Sequence, residues 1–195
     1  MQRAQDCNMN TKRGISISFL SILWLAAAAL CADDPKDERF EKAEQWKMAA
    51  QNREMAAATQ QDQAESLLQT AESFRKKEYL KESERRAWFD KAGDMEKTAG
   101  DLLGAAFMNL DKAIANWQSV AELYKTLGEK EREAEARLNF EAARRAAIEA
   151  CAAAGDAYER AADAYSPANA AQPMKEAQAS EKAAQFREML AARQR

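Results

Sequence analysis

Histidine is absent from this sequence of 195 residues, and cysteine, proline and glycine are scarce, with three, three and six residues. Without histidine, the chain lacks the commonest general base and the commonest nitrogen ligand of metal ions. Carboxylates stand beside basic residues at helical spacing, as Glu133 does with Arg137, which is typical of exposed ion pairs. Gly100 and Gly104 frame no phosphate loop, because the Lys and the Ser or Thr of that motif are missing. The sequence therefore predicts a protein that is not an enzyme and that holds no cofactor and no metal ion.

β-Branched aliphatic residues are also rare. After Cys31 the chain contains only Val120, Ile114 and Ile148 of this kind. β-Branched side chains favour strands and lose rotamer freedom in helices, so their scarcity argues against any sheet. Ala, Glu, Lys, Arg, Gln and Leu, which dominate instead, are strong helix formers. The predicted fold class is all-α.

The chain has no excess of charge of one sign. Its formal net charge is −3, and acidic and basic residues alternate along the predicted helices. Binding to a phosphate backbone needs a concentrated positive face, and none is present. Nucleic acid is therefore not an expected partner.

Residues 1–31 have the layout of a secretory signal peptide, with Met9 as an alternative start. Lys12 and Arg13 precede an apolar run that is shorter than the ~20 residues a membrane-spanning helix needs. Small residues and an acidic stretch follow the run. We expect cleavage near Cys31 and export to the periplasm or beyond in a bacterium. A lipid on Cys31, which would anchor the protein to the envelope, is the alternative.

The remaining chain, 32–195, is predicted to form one helical domain with an internal repeat. An aromatic residue is followed three times by alanines 3, 10 and 17 positions later. The three ladders are Phe40, Ala43, Ala50, Ala57; Phe89, Ala92, Ala99, Ala106; and Phe140, Ala143, Ala150, Ala157. A fixed period of about 50 residues is typical of helical-repeat proteins, in which each unit buries its apolar face on the next. The predicted units are 36–81, 82–128 and 129–195.

Turn signals divide these units into shorter helices. The expected breaks are 59–63, 78–83, 109–111, Gly128 and 166–172. They predict six helices, at 35–58, 62–77, 82–108, 111–127, 130–165 and 173–193. Paired in order, these make about three antiparallel hairpins stacked as a short helical-repeat solenoid. A long-helix antiparallel bundle or coiled coil is the alternative.

The stretch from Asp111 to Ala134 resembles the tetratricopeptide-like superfamily, and within it the longer-helix, SNAP-like members. It has a polar start, Ala113-Ile114, an alanine three residues before Tyr124, then Leu127-Gly128 and a charged re-entry. The resemblance covers about 25 residues and transfers no individual binding residue. It implies a superhelical adaptor that holds a peptide or helix in a concave face.

These features together favour a protein-interaction scaffold or adaptor of the bacterial cell envelope. Its partner would be a protein or peptide, and Trp46, Trp88 and Trp117 are candidate contact residues, with packing in the core as their alternative role. A structural protein that associates with itself through the alanine-rich face is the alternative function. Cys151 is expected to be a small buried residue, with a thiol linking two chains as the alternative.

Overall fold

The computed structural model describes residues 35–78 and 81–193. Within them the chain forms four helices: α1, Pro35–Arg75; α2, Glu82–Leu127; α3, Lys130–Tyr165; and α4, Pro173–Arg193. Helix accounts for 92% of these residues, and they include no strand, so the all-α class is confirmed. The predicted leader, with Met9 and Cys31, lies outside the described residues.

Three of the predicted breaks are confirmed, at 78–83, at Gly128 and at 166–172. The first separates the end of α1 at Arg75 from the start of α2 at Glu82. Gly128 ends α2 in the left-handed conformation, with φ of 80°, and its N–H donates to the carbonyl of Lys125. Glycine adopts this conformation without a steric penalty. Pro173 begins α4, where its fixed φ suits the first helical turn and its missing N–H is not needed.

The breaks expected at 59–63 and 109–111 are wrong, because both segments lie inside continuous helices. Thr59 lies within the helix, and its hydroxyl donates to the carbonyl of Met55 one turn earlier, at 3.0 Å. Asp111 caps nothing and instead pairs with Arg193 of α4. Neither segment contains Gly or Pro, and burial of the flanking alanines outweighs the local polarity of the chain. The six-helix, three-hairpin arrangement is therefore replaced by the long-helix antiparallel bundle.

Side-chain bonds define the directions of the helices in the compact unit Arg39–Arg195. The other unit, Met1–Glu38, is described only from Pro35, as the first turn of α1. Tyr124 bonds Glu44 and Asn109 bonds Gln60, so α1 and α2 are antiparallel. Helices α2 and α3 are antiparallel as well. Tyr158 bonds Asp101, and the later Tyr165 bonds the earlier Asp94.

Helix α4 covers the half of the α2–α3 pair that includes the end of α3. Lys175 near its start bonds Asp90 and Asp94 of α2, and Phe186 packs against the ring of Tyr158 on α3, with centroids 5.7 Å apart. The same phenylalanine ring lies over Gly104 of α2. Short as it is, α4 therefore makes contacts with both neighbours.

The core consists of alanine layers, each with one residue from α1, α2 and α3. All nine predicted ladder alanines are at most 3% exposed. Three layers fall in successive apolar clusters: Ala50, Ala113, Ala143; Ala57, Ala106, Ala150; and Ala64, Ala99, Ala157. One heptad further on each side the pattern continues with Ala43, Val120, Ala136 and with Ala71, Ala92, Ala164, which are also buried. Small side chains at every step of seven allow three helix backbones to approach closely.

The three phenylalanines of the ladders are not equivalent. Phe40 and Phe140 pack against the same apolar cluster, whereas Phe89 lies at the other end of the bundle, beside Arg75 and Arg85. Because α2 runs antiparallel to α1 and α3, its ladder starts at the opposite end. The sequence repeat is thus a repeat of single helices of alternating direction. Among the described helices, none has the length and hydropathy that a membrane crossing requires.

Candidate protein-interaction surface

Trp117 is part of the core. Its side chain is 2% exposed, and its indole N–H donates to Glu54 Oε1 at 2.8 Å. A buried indole usually needs such a partner, because an unpaired N–H in the interior costs free energy. This tryptophan is therefore closed to any partner while the bundle is folded.

Trp46 is half-buried at the beginning of α1. Its ring packs against the first apolar cluster, and the ammonium of Lys42 lies 5.2 Å from the ring centroid. One side of the ring lines a shallow groove of about 310 Å³ between α1 and α2, together with Leu123 and four polar residues.

Trp88 is half-buried at the other end of the bundle, next to the α1–α2 connection. It stacks on Phe74, with ring centroids 4.8 Å apart, and the ammonium groups of Lys77 and Lys91 lie 4.0 and 4.6 Å from its ring. The ring is thus occupied by contacts within the chain. The three tryptophans lie in three separate places and form no common surface.

The most buried charge in the described part of the chain is Glu96, whose side chain is fully enclosed. Arg75 donates to both of its oxygens, at 3.0 and 2.8 Å, and Arg160 adds a third bond at 3.3 Å. Arg75 also bonds Asp163 at 2.8 Å. Burial by itself would lower the pKa of Arg75, but its bonds to Glu96 and Asp163 outweigh this effect and raise that pKa. Every group is paired, so the cluster joins α1, α2 and α3 and offers no free acid or base.

Three tyrosines donate their hydroxyls to carboxylates of neighbouring helices. Burial, with a further contribution from Glu44, raises the pKa of Tyr124 to about 12. Burial and the bonds to Asp101 and Asp94 likewise raise the pKa values of Tyr158 and Tyr165. These hydroxyls stay protonated at neutral pH and cannot act as bases. In the described ranges no cluster of acidic or cysteine side chains has the arrangement of a metal site.

Between Gln45 and Ser73 the solvent side of α1 carries much less charge than the solvent side of α3. Of the 15 exposed residues between Gln45 and Ser73, only Asp62 and Glu65 are charged. On α3, by contrast, 11 of the 14 exposed residues are charged. The chain as a whole is 31% charged, so the composition of this side of α1 is not that of an average exposed surface. Depletion of charge is the compositional signal of the centre of a protein–protein interface.

The residues directly opposite the α1 ladder form one stripe, which we call the outer face of α1. Its nine members are Gln45, Met48, Asn52, Met55, Thr59, Asp62, Ser66, Gln69 and Ser73, all exposed. Two of them are large apolar side chains, since Met48 is 55% exposed and Met55 is 66% exposed. Methionine is flexible and polarisable, and it is frequent at surfaces that adapt to a partner.

The outer face was present as a signal in the sequence but was not recognised. At 100° per residue, positions two and five after each ladder alanine lie on the opposite side of the helix. For Ala43 these positions are Gln45 and Met48, and the pattern repeats every seven residues to Ser73. The expected turn at 59–63 concealed it, because that turn divided α1 into two short helices.

Four large apolar side chains on the other described helices are also exposed, among them Met174 near the start of α4. Leu138 on α3 is 72% exposed, but it lies among charged residues. Met108 and Met189 border a groove of about 280 Å³ between α2 and α4, which Phe107, Phe186 and Tyr158 also line. Neither feature extends along a helix as the outer face of α1 does.

Cys151 lies buried beneath α4, with its sulfur 3.5 Å from the carbonyl of Phe186. Burial raises the pKa of its thiol, which keeps the sulfur in its unreactive protonated form. In the folded bundle this sulfur is out of reach of a second chain.

The chain matches no protein-family model, no curated protein and no solved structure.

Proposed function

We propose that this chain is an exported scaffold protein of the bacterial cell envelope, which binds another protein along the outer face of α1. The observation that carries the proposal is the contrast between this nearly uncharged stripe and the charged surface of α3. Desolvating a charge on binding is costly, whereas amide, hydroxyl and thioether groups are desolvated at lower cost. A helix of a partner lying along the stripe is the mode of binding.

The mechanism differs from the concave groove that a solenoid would provide. The described part of the chain forms a bundle of long helices, so the binding surface is the face of a single long helix. The alanine layers and the buried cluster around Glu96 hold α1 in place and keep this face rigid. A rigid surface loses little conformational entropy on binding, which favours affinity.

The alternative of self-association through the alanine-rich face has less support. The ladder alanines of α1, α2 and α3 are buried against one another within a single chain. A contact between chains through them would require the bundle to open. Any association of folded chains must therefore use a different surface.

A photo-crosslinking amino acid placed at Met55 tests the proposed surface. We expect covalent adducts with protein when the labelled chain is exported and irradiated in intact cells. The same amino acid at Leu138 is the matched control, because that residue is 72% exposed, against 66% for Met55, but lies on the charged side of α3. Adducts of equal yield at the two positions, or none at Met55, would contradict the proposal.

Export itself is tested separately at the N-terminus of the mature protein. We expect mass spectrometry to find a start between Leu30 and Asp33. A diacylglyceryl mass on Cys31 would establish the lipid-anchored form. A purified protein that still begins at Met1 or Met9 would contradict export.

A further inference from the structure

We propose that the partner bound along the outer face of α1 is a second copy of this chain, with the two α1 helices side by side and antiparallel. This inference rests on the proposed function, since it assigns an occupant to the same surface. It concerns residues 45–73, all of which lie in the compact unit that begins at Arg39.

The chemistry of the face favours a copy of itself. In a twofold-symmetric dimer a surface meets an identical surface, so a charged stripe would face its own charge. Eight of the nine members are uncharged, and the exception is Asp62. Gln45, Asn52 and Ser66 each combine donor and acceptor atoms, and such groups pair with identical groups. Thr59, Gln69 and Ser73 already donate within α1 and present acceptor oxygens to a second copy. A strongly acidic or basic partner would find almost no opposite charge here.

The position of Asp62 indicates the direction of pairing. In a parallel pair, Asp62 would stand next to the same residue of the other chain and repel it. In an antiparallel pair centred on Thr59, the midpoint of the stripe, each Asp62 lies near Met55 of the other chain. The two carboxylates are then separated by about 9 Å along the axis, at 1.5 Å of rise per residue. Antiparallel helices also align their dipoles favourably.

The size of the stripe limits the strength of the contact. Residues 45–73 span about 42 Å of helix, and a contact stripe about 10 Å wide gives roughly 420 Å² per chain. Stable interfaces bury about 800 Å² per partner. The contact is therefore at the small end of specific interfaces, and we expect a weak dimer whose fraction rises with protein concentration.

Sedimentation equilibrium on the mature chain, without residues 1–31, provides the first test. We expect a monomer at low micromolar concentration and a rising dimer fraction towards the millimolar range. A mass that stays monomeric throughout would overturn the inference.

Two double variants with substitutions at the same positions test the surface and the direction together. In the antiparallel pair, Asn52 of one chain faces Ser66 of the other. Asn52→Lys with Ser66→Lys places like charges together and should weaken association at least tenfold. Asn52→Lys with Ser66→Asp places opposite charges together and should preserve or tighten it. Loss of the dimer in both variants would overturn the antiparallel arrangement, since a parallel pair would bring each charge to its own copy.

Two controls complete the experiment. Circular dichroism and thermal melting must be unchanged in both variants, which is expected because Asn52 and Ser66 are exposed. Leu138→Lys on α3 should leave the dimer intact, and a dimer sensitive to this change but not to the charge pairs would overturn the inference.

If the chain is monomeric while Met55 crosslinks to a different protein, the inference fails and the proposed function stands. If Met55 gives no protein adduct and no dimer forms, both fail.

Discussion

Two glycines of α2 leave room for two tyrosine rings of α3. Gly93 lies under the ring of Tyr165 and Gly100 under the ring of Tyr158, while the next residue in each case, Asp94 or Asp101, accepts the tyrosine hydroxyl. Both pairs repeat at an interval of seven residues, in step with the alanine layers. A glycine inside a helix costs stability, and here the space it leaves is filled by a large buried side chain.

A methyl group at Gly93 tests this close fit. The Cβ of Gly93→Ala would lie 2.6 Å from Cε1 of Tyr165, so the ring must move away from its bond to Asp94. Overpacking outweighs the gain in helix propensity, and we expect a net loss of about 1–2 kcal/mol in the free energy of unfolding. Urea denaturation of the variant and the wild-type protein measures this difference in the free energy of unfolding.

Gly155→Ala is the matched control on α3. A Cβ at this position has its nearest neighbour at 3.6 Å, which is ordinary van der Waals contact. Without a clash, the higher helix propensity of alanine should stabilise the protein by up to about 1 kcal/mol. Changes of the same sign in the two variants would contradict the difference in packing.

Alkaline pH tests the tyrosine–carboxylate pairs. The pKa of Tyr124 in the folded protein is about 12, above its ordinary value of 10.0, and the pKa values of Tyr158 and Tyr165 are raised as well. Groups with a raised pKa stabilise the fold fully below their ordinary pKa, and this contribution disappears as the pH rises through the folded value. We expect stability to decline from about pH 10, with cooperative unfolding and tyrosinate absorbance appearing together.

A variant separates this effect from deprotonation of the lysines. Tyr124→Phe removes the hydroxyl group that donates a hydrogen bond to Glu44. Because this group can then no longer lose a proton, the decline in stability between pH 10 and 12 should become less steep. Tyrosinate absorbance that rises well before unfolding would show that the hydroxyls are solvated and not held as described.

At the scale of helices, the sequence predicted helix content better than helix ends. Scarce branched residues and abundant alanine were sufficient for the all-α class, and Gly128 and Pro173 have a local stereochemical effect that can be read directly. The segment at 59–63 has no such residue. Its continuity depends on Ala57 and Ala64, which are buried by contacts with α2 and α3 that no local pattern shows.

The same limit applies to the candidate site residues. Aromatic type alone does not separate Trp117, which is buried with a hydrogen bond to a residue 63 positions away, from the half-buried Trp46 and Trp88. The outer face of α1 was predictable once the ladder was extended to Ala71, since it follows from helical geometry. The pairing of Gly93 with Tyr165 was not, because it depends on the register between α2 and α3.

Docking of α4 is tested through Cys151. The thiol is buried beneath this helix, and burial raises its pKa, so we expect no reaction with a thiol reagent in the native protein. Phe186→Ala removes the ring that packs over Tyr158 and Gly104 and should cost about 3 kcal/mol. Reaction of Cys151 should then become measurable under native conditions. If Cys151 of the wild-type protein reacted as fast under native conditions as in the protein unfolded by urea, the docking of α4 would be contradicted.

At the scale of the whole bundle, the alanine layers explain how three long helices form a core with few large apolar side chains. Each layer buries little area, but five layers recur along the helices, and rings such as Trp117 and Tyr158 fill the spaces beside them. The cluster around Glu96 adds a charged connection that fixes which helices adjoin. Removing one partner from a buried ion pair is strongly destabilising, so this connection favours one register.

The layers also determine what the surface can do. With all three ladders directed inward, the side of α1 opposite its ladder is held facing outward. The proposed contact along the outer face depends on this orientation, because a rotated α1 would bury Met48 and Met55 and expose the alanines. The central claim is therefore that the ladder alanines, and not their neighbours in sequence, form the axis of the bundle.

Two adjacent alanines of α1 provide the most direct measurement. Ala57 is 1% exposed in the layer with Ala106 and Ala150, whereas Ala58 is exposed to solvent. Ala57→Leu inserts three carbons where the backbones meet and should lower the free energy of unfolding by about 1–3 kcal/mol. Ala58→Leu should change it by less than about 0.5 kcal/mol. Equal losses in urea denaturation, or a larger loss for Ala58→Leu, would contradict the layered core.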